Sequence, residues 1–127
     1  MRLILDTHAL LWFEGGDRRL SAAARTAIEA DENERLISAA SVWEMAIKAN
    51  RGRLELPSSV AAWVSEKTSA GYGLLHVTAA DAAAVETLPW HHKDPFDRLL
   101  AAQAVSHGCA LVSRDRQFRK YGVKLIW

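Results

Sequence analysis

Four carboxylates are placed along this 127-residue chain where one site could use them together. Asp6 ends the apolar run Arg2-Leu-Ile-Leu5, and Asp115 comes three residues after Val112, at the end of another such run. Asp97 falls in the first turn of a helical stretch, and Glu44 in the first turns of a helix that follows Leu36-Ile37. Gathering four carboxylates without cations costs several kcal/mol of repulsion and desolvation, or forces some of them to stay protonated. A divalent ion removes that cost. Donor sets made of oxygen suit the hard cations Mg²⁺ or Mn²⁺ and do not suit zinc. Such ions polarise a phosphoryl oxygen and activate water, and a pair of them can hold attacking and leaving oxygens together. The reaction class that follows is metal-assisted hydrolysis of a phosphodiester, with one ion or two.

Each acid also has a local structural role open to it. Asp6 can cap a short helix after the first strand. Ser41-Val-Trp-Glu44 fits a capping box, with Glu44 satisfying backbone donors. Asp94-Pro95-Phe96-Asp97 is a strong helix start, with Asp at the N-cap, Pro at the first helical position and an acid two residues on, so helix stability alone accounts for both Asp94 and Asp97. Asp115 can be an ordinary turn residue. What separates a site from coincidence is convergence on one edge of a sheet.

The elements that would produce this convergence can be read along the chain. Residues 2–5, 36–37, 74–77 and 109–112 are short apolar strands, with 123–126 as a fifth. Helices are predicted over 21–30, opened by Ser21; from Ser38 or Ser41 to about Asn50; from Pro57-Ser58-Ser59 to about Ala70; over 79–87, capped by Thr78; and over 94–107, closed by Gly108. Short apolar strands alternating with helices imply βαβ units and a parallel sheet covered on both faces. The expected class is α/β, a three-layer α/β/α sandwich with a four- or five-stranded, mainly parallel sheet. Ligands of such sheets lie beyond the carboxyl ends of the strands, where Asp6 and Asp115 fall.

Composition bounds the rest. With 50 % hydrophobic and 24 % charged residues the chain is not a disordered polyelectrolyte, and residues 1–127 suit one domain with its own core. The lone Cys109 excludes an internal disulfide and a cysteine-cluster zinc site, and reads as inert core. The start Met-Arg-Leu-Ile-Leu-Asp6 has no apolar signal core, and no run reaches the ~20 apolar residues of a membrane helix, so a soluble cytoplasmic protein is expected. Net charge is +1 but uneven: residues 1–90 carry 9 basic against 12 acidic side chains, residues 91–127 carry 7 against 3. That asymmetry permits a surface facing a polyanion.

Four segments together resemble one family. Leu3-Ile-Leu-Asp6-Thr7-His8-Ala-Leu-Leu-Trp12, Ser38-Ala-Ala-Ser41-Val-Trp43-Glu44-Met-Ala-Ile-Lys48, His92-Lys-Asp94-Pro-Phe-Asp97-Arg98-Leu-Leu-Ala-Ala-Gln103 and Leu111-Val-Ser113-Arg-Asp115 are similar, in order and spacing, to the PIN-domain nucleases, and among them to the VapC toxins of bacterial toxin–antitoxin modules. The resemblance implies an Mg²⁺- or Mn²⁺-dependent endoribonuclease inhibited by a VapB-type antitoxin, with a homodimer expected. It assigns metal ligands to Asp6, Glu44, Asp97 and Asp115, adds Asp94 through an Asp-Pro-Phe-Asp motif that a subgroup shares, and gives Thr7 and Ser113 supporting hydroxyls. In the implied mechanism Asp6, Asp97 and Asp115 bind the ion, while Glu44 binds a second ion or orients the water.

Other residues are weighed beside these. Arg98, Arg114 and Arg116, with Arg119 and Lys120, lie near two of the acids, and Lys48, Arg51 and Arg53 follow Glu44; they can receive RNA phosphates or form a solvated basic face. Tryptophans can stack on bases, but Trp43 and Trp63 are expected in the core, and Trp12-Phe13 on a surface shared with a partner chain. His91-His92, His8, His76 and His107 are given no ligand role. A receiver domain would need a second acid after strand one and an Asp after strand three, where Val77-Thr78 stands; an aspartyl-phosphate phosphatase would need an acid at position 8, which is His. A non-catalytic α/β module that binds nucleic acid or protein is the alternative reading, and it predicts no metal binding.

Overall fold

The computed structural model describes residues 1–127. Strands β1 (Arg2–Leu5), β2 (Glu34–Ser38), β3 (Gly73–Leu75), β4 (Ala110–Val112) and β5 (Leu125–Ile126) form one sheet in the order β3-β2-β1-β4-β5, with every neighbouring pair parallel. The helices are α1 (Thr7–Glu14), α2 (Ala22–Glu29), α3 (Ala39–Asn50), α4 (Val60–Ser69), α5 (Ala79–Ala84) and α6 (Pro95–His107), with 3₁₀ turns over Val85–Thr87 and Arg116–Tyr121. No helix is long and apolar enough to cross a membrane.

Strand alternation divides the sheet between two cores. Leu3, Leu5, Ile37, Ala110 and Val112 point to one face, packed with Leu10, Ala24, Ile28, Met45 and Trp63 from α1 to α4. Ile4, Leu36 and Leu111 point to the other, packed with Leu100, Ala101 and Ala104 of α6 and with Phe118. Leu3, Ile4 and Leu5 are each 0 % exposed, as a central strand covered on both sides requires. The three-layer sandwich is therefore as expected.

The strand order creates the position that matters. From β1 the chain builds outward through β2 to β3, then returns across the sheet to place β4 and β5 on the opposite side of β1. The order thus reverses between β1 and β4, and the crevice beyond their carboxyl ends is where open α/β sheets bind ligands. The amide of Asp6 donates to the Val112 carbonyl at 3.0 Å, tying the two strand ends together there.

Boundaries differ from expectation where caps compete. The helix expected from Pro57 starts at Val60, because Ser59 supplies the cap, accepting from the Ala62 amide at 3.1 Å. The predicted 79–87 helix ends at Ala84 and tightens into a 3₁₀ turn. Of the two serines considered for α3, Ser38 is the cap, its hydroxyl accepting from the Ala40 amide at 3.1 Å. Ser41 therefore lies inside the helix, and the Ser41-to-Glu44 capping box does not form. The Ser41 hydroxyl is buried with no hydrogen-bond partner.

A buried polar link joins the end of β2 to the α5–α6 layer. The Ser38 hydroxyl donates to the Gln103 carbonyl oxygen, and the Gln103 amide donates to the His76 carbonyl at 3.2 Å and to Asp81 at 3.3 Å. Gln103 is 0 % exposed, so its removal strands several buried partners at once. Gln103→Leu is expected to destabilise the fold by about 1–3 kcal/mol, measured by urea denaturation; an unchanged midpoint would contradict this role.

Candidate active site

A cleft of about 650 Å³ lies at the β1–β4 crevice, and Asp6, Glu44, Asp97 and Asp115 all line it, together with Asp94. Each acid reaches it from a different element. Asp6 is the N-cap of α1, its Oδ1 accepting from the Ala9 amide at 2.8 Å. Asp97 stands in the first turn of α6, whose N-cap, Asp94, accepts from the Phe96 amide at 2.8 Å. Asp115 caps the 3₁₀ turn after β4 through the Gln117 amide at 2.9 Å. Glu44 extends from α3. Capping and cleft-lining are therefore not alternatives: Asp6, Asp94 and Asp115 do both.

The four carboxylates are not balanced alike. Glu44 is held at both oxygens, by the Thr7 hydroxyl at 2.6 Å and by the Lys48 ammonium at 2.9 Å. Asp115 receives His92 Nε2 on its Oδ2 at 2.6 Å. Asp6 and Asp97 have no cationic partner within ion-pair distance. Burial pushes Asp6 above the usual carboxylate range, opposed by hydrogen bonds from the Ser113 hydroxyl and the Ala9 amide and by nearby His8, and reinforced by Glu44. Asp97 is pushed up to about 7, first by burial and then by the charges of Asp94, Asp6 and Glu44, with His92 opposing. Ser113 also accepts from the Asp115 amide at 3.1 Å, so this hydroxyl ties two of the acids together.

His92 was given no role by the sequence. The two adjacent histidines both pack on Tyr121, His91 edge-on with ring centroids 4.8 Å apart and His92 stacked at 5.5 Å, and His92 reaches Asp115. Its side chain is 7 % exposed, and its Nδ1 meets the Tyr121 hydroxyl at 3.0 Å. Facing an ionised Asp115, a neutral ring carries its proton on Nε2 and accepts at Nδ1. Potential ligand atoms of His92, Asp97 and Asp115 all lie within 4.8 Å of one another.

The cationic and aromatic residues sort differently from expectation. Arg114 is exposed and lines the cleft, as do Lys48, Arg51 and Arg53, whereas Arg116 is exposed but outside it. Arg98 is a correction. It is 4 % exposed, its guanidinium donates to the carbonyls of Pro89, Leu88 and Val85 at 3.0, 3.1 and 3.5 Å, and it covers the Trp90 ring, so it is not free for phosphate. Trp63 is buried as expected, but Trp43 is 62 % exposed. The buried stripe of α3 is Ala40, Ser41 and Met45, and a residue two positions from both Ser41 and Met45 falls on the far side of a helix. Trp12 lines the cleft, stacked on His8, and Phe13 packs against the core.

Comparison with known proteins adds to this geometry. The family model described as PIN domain matches residues 3–124. The chain is 34 % identical over 120 residues to Ribonuclease VapC22 of Mycobacterium tuberculosis (strain ATCC 25618 / H37Rv), covering 94 % of this chain and 91 % of that protein. Among solved structures it is similar to VapBC2 from Rickettsia felis bound to a promoter DNA fragment, with TM-score 0.73 and 15 % identity over 98 % of this chain and 97 % of the other. It is also similar to DNA-bound VapBC from Salmonella typhimurium, with TM-score 0.68 and 18 % identity over 98 % and 96 % of the two chains. At such identities the structural likeness shows the fold.

The raised Asp97 makes a prediction about stability. A carboxyl bound more tightly to its proton in the folded state contributes stability below its unfolded value of 3.8, lost as pH rises through about 7. In EDTA, Asp97→Asn is therefore expected to melt a few degrees above the unchanged protein at pH 8, with the difference closing toward pH 5. Parallel melting temperatures across that range would contradict the crowding of charge around Asp97.

Proposed function

We propose that this chain, which belongs to the PIN-domain family, is an endoribonuclease that uses Mg²⁺ or Mn²⁺, acts as the toxin of a toxin–antitoxin pair and is inhibited by a VapB-type antitoxin. The observation that carries the reading is the meeting of Asp6, Glu44, Asp97 and Asp115 in one cleft at the strand-order reversal. Likeness over nearly the whole chain to a protein named as a VapC ribonuclease supports RNA as the substrate. Likeness to VapBC structures supports the antitoxin as partner. The cytoplasm and a homodimer complete the reading.

The residues present fit a hard divalent cation. The cleft collects half-buried carboxylates, and burial first, then the charges of Asp94, Asp6 and Glu44, make Asp97 hold its proton despite His92. Asp6, Asp97 and Asp115 would hold the ion, with Asp94, the exposed one of the five acids, at the margin. When bound, Mg²⁺ or Mn²⁺ supplies polarisation of the phosphoryl oxygen and a more acidic water. The chain's own groups position everything else. Ser113 fixes Asp6 and the backbone of Asp115, and His92 fixes the Asp115 carboxylate from outside. Glu44, held at both oxygens by Thr7 and Lys48, orients the attacking water. Arg114, Arg51 and Arg53 bring cationic charge to the cleft wall for the RNA backbone.

The purified protein is expected to cut single-stranded RNA with Mg²⁺ or Mn²⁺ and to stop when EDTA is added. Asp6→Asn is expected to lower the rate by more than about 100-fold, because losing a ligand costs more than losing an outer partner of one. Mn²⁺ is expected to raise the melting temperature of the unchanged protein and not of this variant. Wild-type cleavage by Asp6→Asn would end this reading.

A further inference from the structure

An exposed indole beside the cleft has no packing role that accounts for its position. Trp43 is 62 % exposed on α3 and meets Phe96 edge to face, with ring centroids 5.3 Å apart and planes at 66°. Phe96 lines the cleft, as does Ile47, which stands one helical turn from Trp43 on the same stripe of α3. Trp90 is more exposed still, at 79 %, but the Arg98 guanidinium covers one of its faces at 3.9 Å. Isolated surface apolar residues are ordinary. Trp43 is not isolated: its partner forms the wall of the acidic cleft.

Covalent adjacency sets the scale. Trp43 precedes Glu44, and Phe96 precedes Asp97, so the aromatic pair is one residue removed from two of the four acids. The exposed Arg51 and Arg53 follow on the same wall, and both line the cleft with Arg114. An exposed indole, cationic side chains and an acidic centre gathered at one cleft match a nucleic-acid strand, with its stacking bases, anionic backbone and scissile phosphodiester.

We propose that Trp43, braced by Phe96, is a stacking platform for one unpaired nucleobase of the RNA whose phosphodiester enters the cleft. This rests on the ribonuclease reading and deepens it, because it names the residue that meets an unpaired base. A paired base has both faces covered by its neighbours in the duplex and offers none to an indole. The platform therefore selects single-stranded segments, loops and ends, and it does so next to the acids and not at a remote surface.

The test uses the full chain carrying Asp6→Asn, so that RNA survives the titration, with and without a change at Trp43. The probes are a short single-stranded oligoribonucleotide, a duplex RNA of the same length and inorganic polyphosphate, all at one fixed salt concentration. Trp43→Ala is expected to weaken single-strand binding by roughly 5- to 150-fold, while duplex and polyphosphate binding stay unchanged. Trp43→Phe is expected to retain most of the single-strand affinity and to reduce the quenching of tryptophan emission that the oligonucleotide causes; this variant decides the matter if Trp43→Ala fails to fold. Equal single-strand affinity with and without Trp43 would overturn the platform. So would a loss of oligomer mass in Trp43→Ala at unchanged RNA affinity, which would place a second copy of the chain over the indole. If instead the unaltered protein cuts no RNA with either cation while oligonucleotide binding still depends on Trp43, the nuclease reading falls and the platform stands.

Discussion

Carboxylates crowded into a recess repel one another, and holding them there is the constraint around which this chain is arranged. The cost is visible at Asp97, whose proton is retained up to about pH 7 by burial and by the charges of Asp94, Asp6 and Glu44. The fold meets part of it locally. Asp6, Asp94 and Asp115 each accept backbone amides at the start of a helix or 3₁₀ turn, where free N–H groups and the helix dipole favour negative charge. Glu44 is met by Lys48 one turn along α3, and Asp115 by His92. Asp97 is left facing the charges of Asp94, Asp6 and Glu44, and a cation there would relieve that repulsion.

The same interactions that tolerate the acids also aim them. A capping carboxylate cannot rotate freely, so Asp6 and Asp115 are held in fixed directions beyond the ends of two strands that are hydrogen-bonded neighbours. The sheet is the rigid base: Leu3, Ile4 and Leu5 of β1 are completely buried and the strand is flanked by β2 and β4, so the ends of three strands share one frame. Gln103 extends that frame sideways, linking the Ser38 cap of α3 to Asp81. Glu44 thus rides on a helix whose starting point is fixed by a buried hydrogen-bond network.

Much of this was legible in the sequence, and what was not has definite reasons. Short apolar runs, capping residues and Gly108 marked the elements, because strand length, cap chemistry and the left-handed turn of Gly108, with φ 63°, are local properties. The acids were legible because strand ends are where parallel sheets place ligands. Long-range pairing was not legible. His92 finds Asp115 across 23 positions, and nothing in its neighbourhood announces it. Arg98 looked like a phosphate ligand by its place in a basic stretch, yet the irregular turn at 85–89 needed donors for its carbonyls and took the guanidinium. Trp43 was expected inside because indoles bury well, but moving the start of α3 to Ser38 does not alter its helical phase: it lies opposite Met45 and must face outward.

The central claim is that one divalent ion is shared by chain segments far apart in sequence, and anomalous X-ray scattering from crystals grown with Mn²⁺ tests it most directly. The account predicts a manganese peak in the cleft coordinated by oxygens of Asp6, Asp97 and Asp115. A cleft without manganese at saturating concentration, or manganese held only by other acids such as Asp81 beside His107, would contradict it.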